Sequence, residues 1–244
     1  MKAINTDKES IFNSITIGVM CYNELGSLEK TVSAIDSFLS TRSKNFEILI
    51  VDDGSTDGSK DLCAKLTLNN SNIKVIYHPI NAGIGETLRD IHFNASKKWV
   101  ANVPADGQFD VTMLDGVELQ ENQFVCYFRK ENLVYNTRRN YLSFLNKAVN
   151  KYLLGISVLD INWVKIYPTS FFKKQKITLR SSLVESENVF FLLKHQYEMI
   201  ELPSKYLPRE AGASKGASFK VIKKAISDLL ILIYVCRIKP SKLQ

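Results

Sequence analysis

Phe46-Glu-Ile-Leu-Ile-Val-Asp-Asp-Gly-Ser-Thr-Asp-Gly58 is the stretch on which the fold turns. Phe46 to Val51 is a near-continuous apolar run, the pattern of a strand buried on both faces, and such strands belong to parallel sheets covered by helices. The run stops at a cluster of Asp, Gly, Ser and Thr, the residue types of a turn, and helical spacing resumes from Ser59 to Leu66. The same unit recurs on either side. Upstream, Ile15 to Met20 predicts a strand, followed by Leu25, Leu28, Val32, Ile35 and Leu39 at the spacing of a helix packed on one face. Downstream, Lys74 to His78 predicts a third strand, Asn81-Ala-Gly-Ile-Gly85 a break, and Leu88, Ile91 and Ala95 a helix. Trp99 to Val103 then predicts a fourth strand, running into Pro104-Ala-Asp-Gly-Gln108. Strands alternating with helices predict an α/β fold, a mostly parallel sheet flanked by helices, whose ligands bind at the carboxyl ends of the strands.

Past residue 120 the pattern loosens. Residues 138–154 predict a helix with Arg138, Arg139, Lys147 and Lys151 around an apolar stripe, Phe171 to Arg180 reads as basic and irregular, and Glu187 to Tyr197 as a helix. Pro203 to Lys215 reads as a loop, and Phe219, Ile222, Ile226, Leu229, Leu230 and Ile233 mark an amphipathic C-terminal helix with lysines near its start. No repeat or linker divides the chain, so a single domain is expected. At 244 residues, 45% hydrophobic and 23% charged, the composition is globular and excludes disorder as the main state.

The net charge of +7 is unevenly spread: residues 1–120 carry 11 basic and 16 acidic side chains, and the remainder 21 and 9. An acidic half suits a cation or a polar small molecule, and a basic half suits something anionic, whether a phosphorylated substrate, a membrane surface or nucleic acid. No nucleic-acid motif accompanies the charge, so no nucleic-acid partner is expected. Four cysteines without CxxC spacing predict neither a metal cluster nor a disulfide framework and fit a reducing, cytoplasmic compartment. The polar N-terminus lacks a signal-peptide core, and the longest apolar run, Leu229 to Cys236, is about half of the roughly 20 residues that a spanning helix needs.

Three polar clusters end three of the strands. Asp52, Asp53 and Asp57 can accept hydrogen bonds from a nucleobase or ribose, and they equally suit turns and caps. Asn23-Glu24 has the same two readings. Asp106 and Gln108 can share one hard divalent cation, Mg²⁺ or Mn²⁺, with diphosphate oxygens and water completing the shell; the alternative is a plain strand-to-turn Asp-Gly. His78, His92 and His195 have no spacing partners and are expected at a strand end, a helix face and a surface helix, without catalytic roles. Glu185 and Glu187 are expected to complement a helix N-terminus.

Ile17-Gly-Val-Met-Cys-Tyr-Asn-Glu24, Ile50-Val-Asp-Asp-Gly-Ser-Thr-Asp-Gly58, Asn81-Ala-Gly-Ile-Gly85 and Ala105-Asp-Gly-Gln-Phe-Asp110 stand in the order and approximate spacing of family-2 glycosyltransferases with the Rossmann-like GT-A fold. The chain most resembles the dolichol-phosphate mannosyltransferase-like branch, which moves a sugar from a nucleotide onto a polyprenyl phosphate. The resemblance implies a GT-A domain over residues 14–215, with a nucleotide-binding half (14–115), an acceptor half (116–215), and a separate C-terminal helix (216–244). It implies that Tyr22 packs on the base, that Glu24 and Asp53 hold base or ribose, and that Asp106 binds the metal. Pro104 stands where the family usually has a further Asp, which leaves Asp106 and Gln108 for the cation and also motivates a catalytically silent sugar-nucleotide-binding protein as an alternative. Arg139, Ser143 and Asp160 resemble the family's Arg-xxx-Ser…Asp arrangement, and Arg209-Glu-Ala-Gly-Ala-Ser-Lys215 resembles its Arg-x-x-Gly-x-Ser-Lys loop. Those basic groups, with Arg129 as a further arginine, are implied to clamp the donor diphosphate and the acceptor phosphate.

The implied reaction is inverting and metal-assisted. A phosphate acceptor is already an oxyanion, so attack needs alignment and leaving-group stabilisation more than a strong base. Asp160 would position the acceptor or sense its proton, or would be a structural carboxylate paired with a nearby arginine. A second acceptor class is a glycan hydroxyl in cell-surface polysaccharide synthesis. The C-terminal helix either closes the core or lies in a membrane interface, making the protein peripheral at the cytoplasmic face or the partner of a membrane protein.

Overall fold

The computed structural model of the protein describes residues 7–130, 147–175, 177–209 and 228–234. Each apolar run of the first half becomes a strand: β2 (Ile15–Cys21), β3 (Phe46–Asp52), β4 (Ile73–Tyr77) and β5 (Trp99–Pro104), after a short β1 (Glu9–Ser10). Between them lie α1 (Leu28–Ser40), α2 (Ser59–Asn69) and α3 (Ile84–Asn94). The later residues add β6 (Glu118–Leu119), β7 (Gln123–Arg129), β8 (Lys165–Pro168), α4 (Thr169–Lys174), α5 (Val184–Lys194) and β9 (Glu198–Ser204).

Seven strands form one sheet in the order β4-β3-β2-β5-β8-β7-β9. β2 pairs in parallel with β3 on one side and β5 on the other, so Val19 lies between Ile50 and Val103. β8 runs antiparallel to both β5 and β7, and β9 is parallel to β7. The expected α/β architecture, mostly parallel and flanked by helices, is therefore present. One apolar layer holds Leu28, Val32, Ile35 and Leu39 of α1 against Ile17, Val19 and Ile48. The other holds Leu88 and Ile91 of α3 with Val100, Tyr167, Phe171 and Phe191. Full burial of each such side chain contributes about 1.5–3 kcal/mol. Contact is closest at the start of α3, where a Cβ on Gly85 would lie 2.1 Å from the Arg180 carbonyl oxygen.

Several expectations change. Leu25 precedes α1 and is exposed rather than part of its buried face. The stretch read as irregular from Phe171 begins inside α4, with Phe171 and Phe172 in the core. The helix expected at 187–197 starts at Val184 and ends at Lys194, and the chain then forms β9. Of the helix expected at 138–154, the described part is helical from residue 147, including the π-helical turn Val149–Leu154. Of the C-terminal helix, residues 228–233 are helical: Leu232 is buried, and Asp228 accepts the N–H groups of Arg180 (3.1 Å) and Ser181 (2.7 Å). This portion packs Leu232 into the core while Leu230, Ile231 and Tyr234 stay exposed; the rest of residues 216–244 lies outside the described residues. No helix among the described residues is long and apolar enough to cross a membrane.

Candidate functional site

The strand order reverses at β2, whose neighbours β3 and β5 lead away in opposite directions. A crevice forms at the carboxyl edge of such a reversal, and its rims are Tyr22–Glu24, Asp52–Gly58 and Ala105–Gln108.

The first two rims are stitched together. The Asp53 N–H donates to the Cys21 carbonyl (2.9 Å), the Asn23 N–H to Ser55 Oγ (2.8 Å), and the Thr56 N–H to Asn23 Oδ1 (2.7 Å). Asn23 holds a φ of 53°, a left-handed conformation that asparagine tolerates. Asp57 accepts the N–H groups of Ser59 (3.0 Å) and Leu25 (3.1 Å), so this member of the acidic cluster is turn and cap chemistry. Asp53 is buried, and its oxygens accept from the Ala82 N–H (2.8 Å) and the Gly83 N–H (2.9 Å). It therefore fastens the Asn81-Ala-Gly break to the end of β3. Gly54, at φ 71°, completes the approach; a Cβ there would lie 2.6 Å from the Ile80 carbonyl carbon.

His78, expected at a strand end without a catalytic role, lies directly after β4 and joins this constellation. Its Nδ1 lies 2.7 Å from Asp53 Oδ1 and its Nε2 2.7 Å from Asp90 Oδ2. Only the imidazolium can donate from both nitrogens. Burial pulls the His78 pKa down, but hydrogen bonds and charge from the two carboxylates outweigh it and hold the pKa above the ordinary value. The only sequence signal was its position directly after β4, at the edge where the acidic turn also lies.

The third rim meets the first through Arg209. Nη1 donates to Glu24 Oε1 (3.1 Å) and Nη2 to Asp106 Oδ2 (2.7 Å), so one guanidinium joins carboxylates from the ends of β2 and β5. Asp106 Oδ1 accepts the Gln108 N–H (3.1 Å). Burial pushes the Asp106 carboxyl up; the Gln108 amide and Arg209 pull against it, and the net displacement is upward. The Gln108 side chain donates through Nε2 to the Tyr206 hydroxyl (2.6 Å).

Tyr206 leads to a second charged pair. Its ring centroid is 5.3 Å from that of Trp163, and the Arg129 guanidinium lies 4.8 Å over Trp163 and 5.5 Å over Tyr206. Arg129 grips Asp160 with both ends of its fork, Nε to Oδ2 at 2.7 Å and Nη2 to Oδ1 at 3.0 Å. The pairing of Asp160 with a nearby arginine, one of its two sequence readings, is thus the observed geometry. Gln108, Tyr206, Trp163, Arg129 and Asp160 form a contiguous chain from the end of β5 to the residues before β8. Tyr22 sits half-buried on the first rim. Arg139, Ser143 and Lys215 lie outside the described residues.

Among the described residues, no group of three His, Cys, Asp or Glu side chains is arranged to hold a metal ion. Two carboxylates do converge on one cationic group, and oxygen donors of this kind suit Mg²⁺ or Mn²⁺ when a diphosphate supplies further ligands.

A family model described as glycosyl transferase family 2 matches residues 16–177. The chain is 34% identical over 107 residues to a dolichyl-phosphate beta-glucosyltransferase from Saccharomyces cerevisiae, an alignment covering 41% of this chain and 31% of that protein. It is 27% identical over 131 residues to a dolichyl-phosphate beta-glucosyltransferase from Trichomonas vaginalis, covering 52% and 39%. The chain thus spans well under half the length of these relatives. Among solved structures, glucosyl-3-phosphoglycerate synthase from Mycobacterium tuberculosis in complex with uridine-diphosphate superposes with a TM-score of 0.62 at 14% identity, covering 91% of this chain and 80% of that one. The same enzyme in complex with Mn²⁺, uridine-diphosphate and phosphoglyceric acid gives 0.59 at 16%, covering 89% and 78%. These likenesses are of fold, and the fold is GT-A.

Proposed function

Because the chain belongs to glycosyl transferase family 2, we propose that it transfers a sugar from a nucleotide-sugar donor to a polyprenyl phosphate, with inversion at the anomeric carbon. The observation that carries this reading is the joining of Glu24 and Asp106 by Arg209 at the strand-order reversal. Two carboxylates and a guanidinium there are the groups that a donor diphosphate and its counter-cation need. Residues 14–115 would hold the donor, with Tyr22 against the base and Glu24 and Asp53 toward base or ribose. Residues 116–215 would hold the acceptor.

Asp106, with Gln108, would hold Mg²⁺ or Mn²⁺, and the ion would supply positive charge to the departing diphosphate. Arg209 would contribute a bidentate fork to the same phosphates, alongside Lys215, Arg139 and Ser143. The acceptor phosphate oxygen forms its bond to the anomeric carbon as the bond to the donor diphosphate breaks, and no proton need leave a phosphate oxyanion. Asp160 would orient the acceptor through Arg129. A hydroxyl acceptor fits less well, since it requires a base and both Asp160 oxygens accept from Arg129. Work on a lipid phosphate would bring the protein to the cytoplasmic face of a membrane, in keeping with its basic second half.

The test is transfer of labelled sugar from a panel of UDP-, GDP- and dTDP-sugars to a short polyprenyl phosphate with Mn²⁺. A lipid-phosphate glycoside of inverted configuration is expected. Donor binding without transfer to either a lipid phosphate or a glycan would instead identify a silent sugar-nucleotide-binding protein.

A further inference from the structure

Lys165 is wholly buried at the start of β8, and its ammonium donates to the carbonyls of Ile161 (2.5 Å) and Trp163 (3.0 Å) while lying 3.2 Å from Glu185 Oε2. Glu185, in the first turn of α5, is itself held by the Tyr167 hydroxyl and by Asn102 Nδ2 (3.3 Å). Burying such an ion pair is costly, and apolar residues of similar volume would often serve stability as well or better. What the pair adds is a fixed direction. The ammonium faces one carboxylate and donates two hydrogen bonds, both to backbone carbonyls of the turn that follows Asp160 and contains Trp163. That turn, with Asp160 directly before it, presents two of the contacts of Arg129: the Asp160 carboxylate and the Trp163 ring. The Trp163 indole N–H is anchored separately, on Ser204 Oγ (2.7 Å).

We propose that Lys165, backed by Glu185, is a positioning residue that sets the Ile161–Trp163 turn, and through it the Arg129–Asp160 pair, in the orientation that receives the acceptor phosphate. The inference rests on the acceptor reading given above. It assigns the buried pair to acceptor alignment rather than to donor binding, because none of its contacts reaches Glu24, Asp53 or Asp106.

The experiment compares wild type, Lys165→Met and Lys165→Met/Glu185→Gln. The double variant removes the orphaned charge that the single one leaves, while its amide can still bond Tyr167 and Asn102, so it recovers thermal stability relative to the single variant. Acceptor KM is expected to stay raised by about tenfold or more in the double variant, with donor diphosphate affinity within about twofold of wild type. The chain has two tryptophans, Trp99 and Trp163. In 5-fluorotryptophan-labelled protein, the fluorine resonance of Trp163 is expected to move while that of Trp99 stays in place. Return of acceptor KM to the wild-type value together with stability, or an unmoved Trp163 resonance, would overturn the proposal. If the wild type transfers to no acceptor, the acceptor reading falls by itself, and the fluorine resonance still decides whether Lys165 sets the turn.

Discussion

Arg209 stands where two carboxylates from different strand ends would otherwise face each other, and its side chain is largely buried there. Removing a charged partner from such a site leaves buried oxygens uncompensated, at about 1–3 kcal/mol per lost charged hydrogen bond. Arg209→Gln is therefore expected to lower thermal stability. Mn²⁺ should restore more of it in the variant than it adds to the wild type, because the carboxylates gain a cation in place of the guanidinium. Thermal shifts with and without Mn²⁺ measure this, and an equal metal response in both proteins would count against a shared position. His78 gives a prediction in pH. Its folded pKa is raised, so its contribution is fully present below the unfolded value near 6.5 and is lost as pH rises through the folded pKa. The stability gap between wild type and His78→Gln should be widest at about pH 6 and narrow toward about pH 9 in thermal melts, reaching about 1–3 kcal/mol where the imidazolium is intact.

At the scale of elements, the site depends on where α3 begins. Ala82 and Gly83, which bond Asp53, directly precede that helix, and Gly85 lets its first turn touch the backbone at Arg180. Gly85→Ala forces a backbone separation there, and overpacking of this kind costs about 1–3 kcal/mol. Urea unfolding should report that loss, and donor diphosphate binding should weaken with it because the Asp53-bound turn moves too. Other elements differ in how much of them could be read beforehand. β2, β3 and β5 are buried between helix layers and write themselves as apolar runs, whereas β8 has only four residues and opens on a buried lysine. β9 is an edge strand of mixed polarity that contains Pro203, and β7, though apolar, lacks the alternating helix that marks the earlier strands. The acidic turn and Asp106 were legible because they end such runs. The grip of Arg129 on Asp160 and the bridge from Arg209 to Glu24 join residues 31 and 185 positions apart, a pairing that spacing along one chain does not encode.

For the whole molecule, the uneven charge maps onto the sheet. The acidic first half supplies the rims at β2, β3 and β5, where Glu24, Asp53 and Asp106 lie, and the basic second half supplies Arg129 and Arg209. On the proposed function, this edge binds a nucleoside diphosphate together with a divalent cation held by Asp106. Titration calorimetry of UDP, GDP and dTDP, each with and without Mn²⁺, on wild type and Asp106→Asn measures that binding. At least one nucleotide should bind the wild type in a Mn²⁺-dependent manner, with affinity falling by about tenfold or more in the variant, as loss of a charged ligand implies. Binding of equal strength in both proteins, indifferent to Mn²⁺, or binding of none of the three, would contradict it.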